Sequence, residues 1–162
     1  MEICFKCATL GPTCCCHERD ILVTKGDIER IHQFLGSGNF FEYRTPCNSA
    51  YVEQDDDPNW LKYTLHEDGT RRVLKRAPAR VGCSFLTETG CLFPVNIRPL
   101  VCRLYPFTYN EQGITGVLSE CPEQLLQDGE TIIDALGMSY EEARDWWILL
   151  YTELRAERGI AT

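Results

Sequence analysis

Residues 83–107 read CSFLTETGCLFPVNIRPLVCRLYPF, and three thiols, Cys83, Cys91 and Cys102, fall within the first twenty of them. The arms CSFL and CLF flank a turn ending at Gly90, which predicts a short β-hairpin over 82–93 with Cys83 and Cys91 on neighbouring strands. Two thiols presented by a hairpin make one half of a tetrahedral four-ligand site. Pro94 stops the strand, Pro99 suits the first position of a single helical turn carrying Cys102, and Pro106 ends that turn. Arg98 and Arg103 stand on either side of Cys102, where their guanidinium donors would offset negative charge on sulfur. The competing reading is ordinary surface arginine. Tyr105 either caps the same site or packs.

Sulfur is comparably concentrated only at the start, CFKCATLGPTCCC, where Cys4, Cys7, Cys14, Cys15 and Cys16 fall among the first sixteen residues. Cys4 and Cys7 form a Cys-x2-Cys pair, a spacing that lets one tight turn grip one ion. Leu10-Gly11-Pro12 then breaks the backbone before three consecutive cysteines. Adjacent side chains point in different directions, so either two ions are bound here or one thiol is a bystander. His17 is a candidate nitrogen ligand or a solvent-facing residue. Cys121 adds a thiol downstream, and the expectation is that these distant clusters meet around bound metal. Cys47, alone after Pro46, reads as a buried or free thiol.

The ten cysteines in 162 residues are too many for an ordinary domain and fewer than a short disulfide scaffold carries. MEICFKCATL lacks the basic start and apolar run of a secretory leader, and no apolar run approaches the roughly 20 residues of a spanning helix. A cytoplasmic, non-membrane protein is therefore expected. There a cysteine cluster binds metal or does redox work more often than it forms disulfides. The net charge of -8, which becomes more negative with each four-thiolate zinc site, gives no electrostatic reason to bind nucleic acid. No nucleophile–base pair, phosphate-cradling glycine loop or dinucleotide fingerprint is visible, so enzymatic activity has no direct support.

Local signals predict an α+β chain: a small irregular domain of short hairpins and several helices, with a cysteine-rich metal centre and a long C-terminal helix. Thr24 with Asp27 makes a capping box for a first helix closed by Gly36, with Ile28, Ile31 and Leu35 on one face and His32 beside it without a role. Asp55, Asp56 and Asp57 lack the alternation of a calcium loop and read as solvated. From Trp60 to Arg76, alternating Leu61, Tyr63 and Leu65 and the Asp68-Gly69 turn predict a hairpin returning through Val73 and Leu74. A further hairpin is expected around Asn110 to Gly113. Thr131 to Leu136 forms a short helix closed by Gly137, and Ser139 with Glu142 caps a long helix running toward Gly159. Its stripe of Ala143, Trp146, Trp147, Leu150 and Leu154 needs packing. Residues 1–125 are read as the cysteine-cluster domain and 126–162 as a helical segment packed on it.

The N-terminal cysteines, the VTKGDIERI segment, the CSFL…GC hairpin, RPLVCRLYPF and Cys121 together resemble the YkgJ-type cysteine-cluster family, described as a zinc- or iron-chelating domain. The likeness covers roughly residues 1–121. The family pattern is Cys-x2-Cys-x2-Cys-Cys; here a longer segment follows Cys7, and Cys15-Cys16 suits the spacing to the first helix better than Cys14-Cys15. The resemblance implies a ligand set of Cys4, Cys7, two or three of Cys14, Cys15 and Cys16, and Cys83, Cys91, Cys102 and Cys121. Such thiolates suit zinc, iron and iron–sulfur clusters, as one polynuclear or two mononuclear sites. The expected function is zinc binding with a structural or metal-handling role. An iron–sulfur or redox protein is the alternative. A thiol-redox enzyme cycling Cys4 and Cys7 comes last, because no thioredoxin-like strand precedes that pair. Metal ions are the expected partners, and the C-terminal helix is a candidate surface for a protein partner or a second copy.

Overall fold

The computed structural model describes residues 6–7, 19–47, 57–76, 83–87, 90–118 and 123–160. The fold is α+β, with helices and, among the described residues, three small antiparallel sheets. In chain order the described elements are α1 (Lys25–Leu35), β1 (Phe41–Arg44), α2 (Trp60–Thr64), β2 (Arg71–Leu74), β3 (Leu86–Thr87), β4 (Gly90–Cys91), α3 (Leu100–Leu104), β5 (Phe107–Asn110), β6 (Gly113–Val117), α4 (Ile132–Leu136) and α5 (Tyr140–Glu157). The pairs are β1 with β2, β3 with β4, and β5 with β6. Among the described residues, no helix is long and apolar enough to cross a membrane.

Three helices begin on a reciprocal capping box, Thr24/Asp27, Thr131/Asp134 and Ser139/Glu142. In each, a hydroxyl accepts the N–H three residues on while that residue's carboxylate accepts the cap's own N–H, so two otherwise orphaned donors are satisfied. Gly36 and Gly137 close α1 and α4 in the left-handed region, at φ 68° and 63°, where a side chain would be strained. Pro99 stands one position earlier than its sequence suggests, as the N-cap of α3 rather than its first residue.

The hairpin expected over Trp60 to Arg76 does not form. Residues 60–64 are helical, and β2 pairs instead with β1, in register Phe41↔Leu74 to Arg44↔Arg71. The reason lies in burial: Trp60, Tyr63 and Thr64, spaced i, i+3, i+4, are the buried residues, so helical spacing overrides the alternation of Leu61, Tyr63 and Leu65. On the other side of β2 runs the segment leaving the N-terminal cysteines. Leu22 bridges Val73, and Val23 N–H donates to the Arg72 carbonyl at 3.2 Å.

That segment separates two apolar cores. Leu22 joins Trp60, Tyr63, Leu100, Leu104, Phe107, Ala143, Leu150, Tyr151 and Leu154, while Ile21 and Val23 join Ile31, Phe40, Leu74 and Phe93. Such alternation is the two-residue period of extended chain. α3 divides the same way, since Leu100 and Leu104 fill the first core and Cys102 packs against the second. Asp57 is a correction: it is 2% exposed, not solvated, and accepts the Tyr151 hydroxyl at 2.5 Å. Asp55 and Asp56 lie outside the described residues.

Candidate metal centre

Cys83, Cys91 and Cys102 come from an isolated bridge, β4 and α3, and all pack, half-buried, against the Ile21/Val23/Ile31/Phe40/Leu74/Phe93 core. Cys91 ends β4 opposite Leu86. Cys83 precedes β3 and pairs with Arg76 across an isolated bridge, so the two thiols do not face each other as neighbouring strand residues. They are nonetheless close enough that charge on Cys83 raises the Cys91 pKa. With Cys7 and Cys47, these three are thiols rather than disulfide halves.

The groups around the pair act on sulfur. The Cys83 sulfur accepts the Phe85 N–H at 3.4 Å. Burial pushes the Cys91 thiol up, and the Phe93 N–H and Arg98 guanidinium pull it partly back by hydrogen bonding and charge. The same i+2 backbone donor thus serves each thiol, and at Cys91 it offsets part of what burial does. Arg98 is fixed for this by Nε–H donation to the Phe93 carbonyl at 2.9 Å.

Arg103 is buried, its charge interacts with that of Cys102, and its hydrogen bonds go to backbone carbonyls. It is 7% exposed and donates from Nε to the Arg98 carbonyl at 2.8 Å and from Nη2 to the Asn96 carbonyl at 2.7 Å. It therefore clasps the 96–98 loop that carries Arg98, and acts on Cys91 through that loop. Tyr105 caps the end of α3, its N–H donating to the Val101 carbonyl at 3.2 Å.

Of the two readings of Cys47, burial fails: it is a thiol outside any disulfide, with partners at its N–H and its sulfur. It is exposed; its N–H donates to Asp20 Oδ2 at 3.1 Å and its sulfur lies 3.3 Å from the Arg76 guanidinium. Asp20, buried beneath, also accepts from Arg44, Arg71 and Arg76 at 3.1, 3.2 and 3.0 Å. Burial pushes its carboxyl up, but the bonds to Cys47 and Arg71 outweigh it and hold it below the ordinary value. Cys7 is buried. Cys4, Cys14, Cys15, Cys16, His17 and Cys121 lie outside the described residues.

Among the described residues, no three Cys, His, Asp or Glu side chains are gathered tightly enough to ligate one ion. No protein-family model, curated protein or solved structure matches this chain, so the site is read from its own chemistry. One residue that the sequence reading treated only as a cap also belongs to the site's support. Asp27 Oδ1 accepts the Leu100 N–H at 3.1 Å, at the start of the turn bearing Cys102. Its capping box was legible; its reach across 73 positions was not.

Proposed function

We propose that this chain is a metal-binding protein whose thiolates hold zinc in a structural or metal-handling role. The observation that carries the reading is that Cys83, Cys91 and Cys102 pack against one apolar wall, with an N–H donor at the Cys83 sulfur and N–H and guanidinium donors at that of Cys91. The remaining ligands are assigned to Cys4, Cys7, two or three of Cys14, Cys15 and Cys16, and Cys121.

Covalent reach supports their joining. Ile21, part of that wall, is five residues after Cys16, a span of at most about 18 Å. Cys121 is three residues after Leu118, whose N–H donates to the Pro106 carbonyl at 2.8 Å, four residues beyond Cys102. Four thiolates around Zn2+ form a closed tetrahedral site with no position for substrate, which fits structural or handling chemistry rather than catalysis. The likeness to the YkgJ-type family points to the same chemistry.

The same donors beside sulfur would also tune an iron–sulfur cluster, which makes that the second reading. Elemental analysis of anaerobically prepared full-length chain, read with its visible spectrum, separates them: zinc protein is colourless, and an iron–sulfur form is brown. Cys83→Ser and Cys102→Ser are each expected to lower metal content by at least one ion. Unchanged stoichiometry in both variants would remove these residues from the ligand set.

A further inference from the structure

We propose that Asp27 is a positioning residue for the metal centre, fixing where Cys102 stands and tying that position to α5; the inference rests on the metal-binding reading above.

α3 is one turn long and cannot hold its own place. Its first N–H, on the fully buried Leu100, has no partner within so short a helix, and Pro99 offers no capping side chain. Asp27 Oδ1 supplies the acceptor at 3.1 Å. Cys102 lies two residues further on, with its N–H bonded to the Pro99 carbonyl at 2.9 Å, so the backbone that Asp27 anchors is the backbone that presents the sulfur.

Asp27 is itself held from three directions. Its side chain is 1% exposed; Oδ1 also accepts Arg30 Nη2 at 2.7 Å and Oδ2 accepts the Thr24 N–H at 3.1 Å. Arg30 reaches on to Glu153 of α5 at 2.6 Å, and the Thr24 hydroxyl donates to the same carboxylate. A buried carboxylate held by three hydrogen bonds on both oxygens is fixed in place, and it passes that precision to Leu100. Arg103, the residue after Cys102, lies within electrostatic reach of Arg30, Asp27, Glu153 and Cys102 itself, and clasps the loop carrying Arg98 to Cys91. One network therefore supports two thiols, Cys102 through the backbone that Asp27 anchors and Cys91 through Arg98.

The test titrates cobalt(II) alone into full-length apo chain without oxygen and reads affinity together with the sulfur-to-cobalt charge-transfer band. Asp27→Ala is expected to weaken binding by about 10-fold or more, the range for groups that orient metal ligands, and to reduce the band. Asp27→Asn, which keeps an oxygen for the Leu100 N–H, should recover part of both. Glu153→Gln, which leaves every Asp27 contact in place, should lose less, and it carries the comparison with Asp27→Asn if Asp27→Ala does not fold. Leu154→Ala lowers stability from the other core and should keep the parental band. Asp27 variants indistinguishable from Leu154→Ala would overturn the inference alone. A parent chain that takes up no cobalt would overturn the metal reading and this inference together.

Discussion

Asp57 and Tyr151 show how much one buried pair can decide. Both are nearly inaccessible, the hydroxyl donates at 2.5 Å, and among the described residues the other Asp57 oxygen has no partner. Burial first, and the neighbouring carboxylate second, push the Tyr151 hydroxyl far above its ordinary range, so it remains a donor at any working pH. Tyr151→Phe leaves a buried carboxylate without its one donor and should cost about 1–3 kcal/mol. Urea unfolding measures this, and a variant as stable as the parent would mean that the carboxylate is satisfied elsewhere.

Glu111 carries a pH signature. The Tyr63 hydroxyl and Asn59 amide, both at 2.6 Å, and Arg155 at 3.0 Å bring its carboxyl down to about 2. Because the folded value lies below the unfolded 4.5, the stability it contributes is complete above 4.5 and is lost as pH falls toward 2. Solvent reaches this pair, which limits the contribution to about 1 kcal/mol. Unfolding midpoints of Glu111→Gln are expected to fall less steeply across that window than those of the parent, and parallel curves would assign the acid sensitivity to another group.

Among elements, helix ends were legible because their chemistry is local. Thr24/Asp27, Thr131/Asp134 and Ser139/Glu142 each announce a start within four residues, and Gly36 and Gly137 announce stops. The β3–β4 and β5–β6 hairpins were visible for the same reason, each closing around a glycine with positive φ, Gly90 or Gly113. β1 with β2 was not, since its partners lie some thirty residues apart with α2 between them and no turn marks the pairing. Of the candidate site, cysteine spacing pointed to metal chemistry, but nothing local could tell that Arg103 bonds carbonyls or that Asp27 reaches Leu100. Ser139→Ala should lower stability by about 1 kcal/mol, since the α5 box is exposed and its loss is not compounded by burial. Thr24→Ala should cost more, because the same hydroxyl also serves Glu153. Thermal unfolding of the two variants ranks them, and equal losses would mean the Glu153 contact contributes nothing.

Across the whole molecule, α5 holds the rest together. Ala143, Leu150, Tyr151 and Leu154 complete the first core, while Glu153 and Glu157 reach Thr24, Arg30, Lys25 and Arg72. Leu150→Ala is expected to cost about 2–5 kcal/mol by denaturant unfolding, as for other fully buried leucines.

The ties made by α5 close very long loops: 129 positions from Thr24 to Glu153, 94 from Asp57 to Tyr151 and 85 from Arg72 to Glu157. Closing such loops loses chain entropy before any contact repays it, which slows refolding relative to a chain of local contacts. Throughout that search the sulfurs stand open to air. Renaturation yield should therefore depend on reductant being present from the first moment of dilution, and not on its later addition.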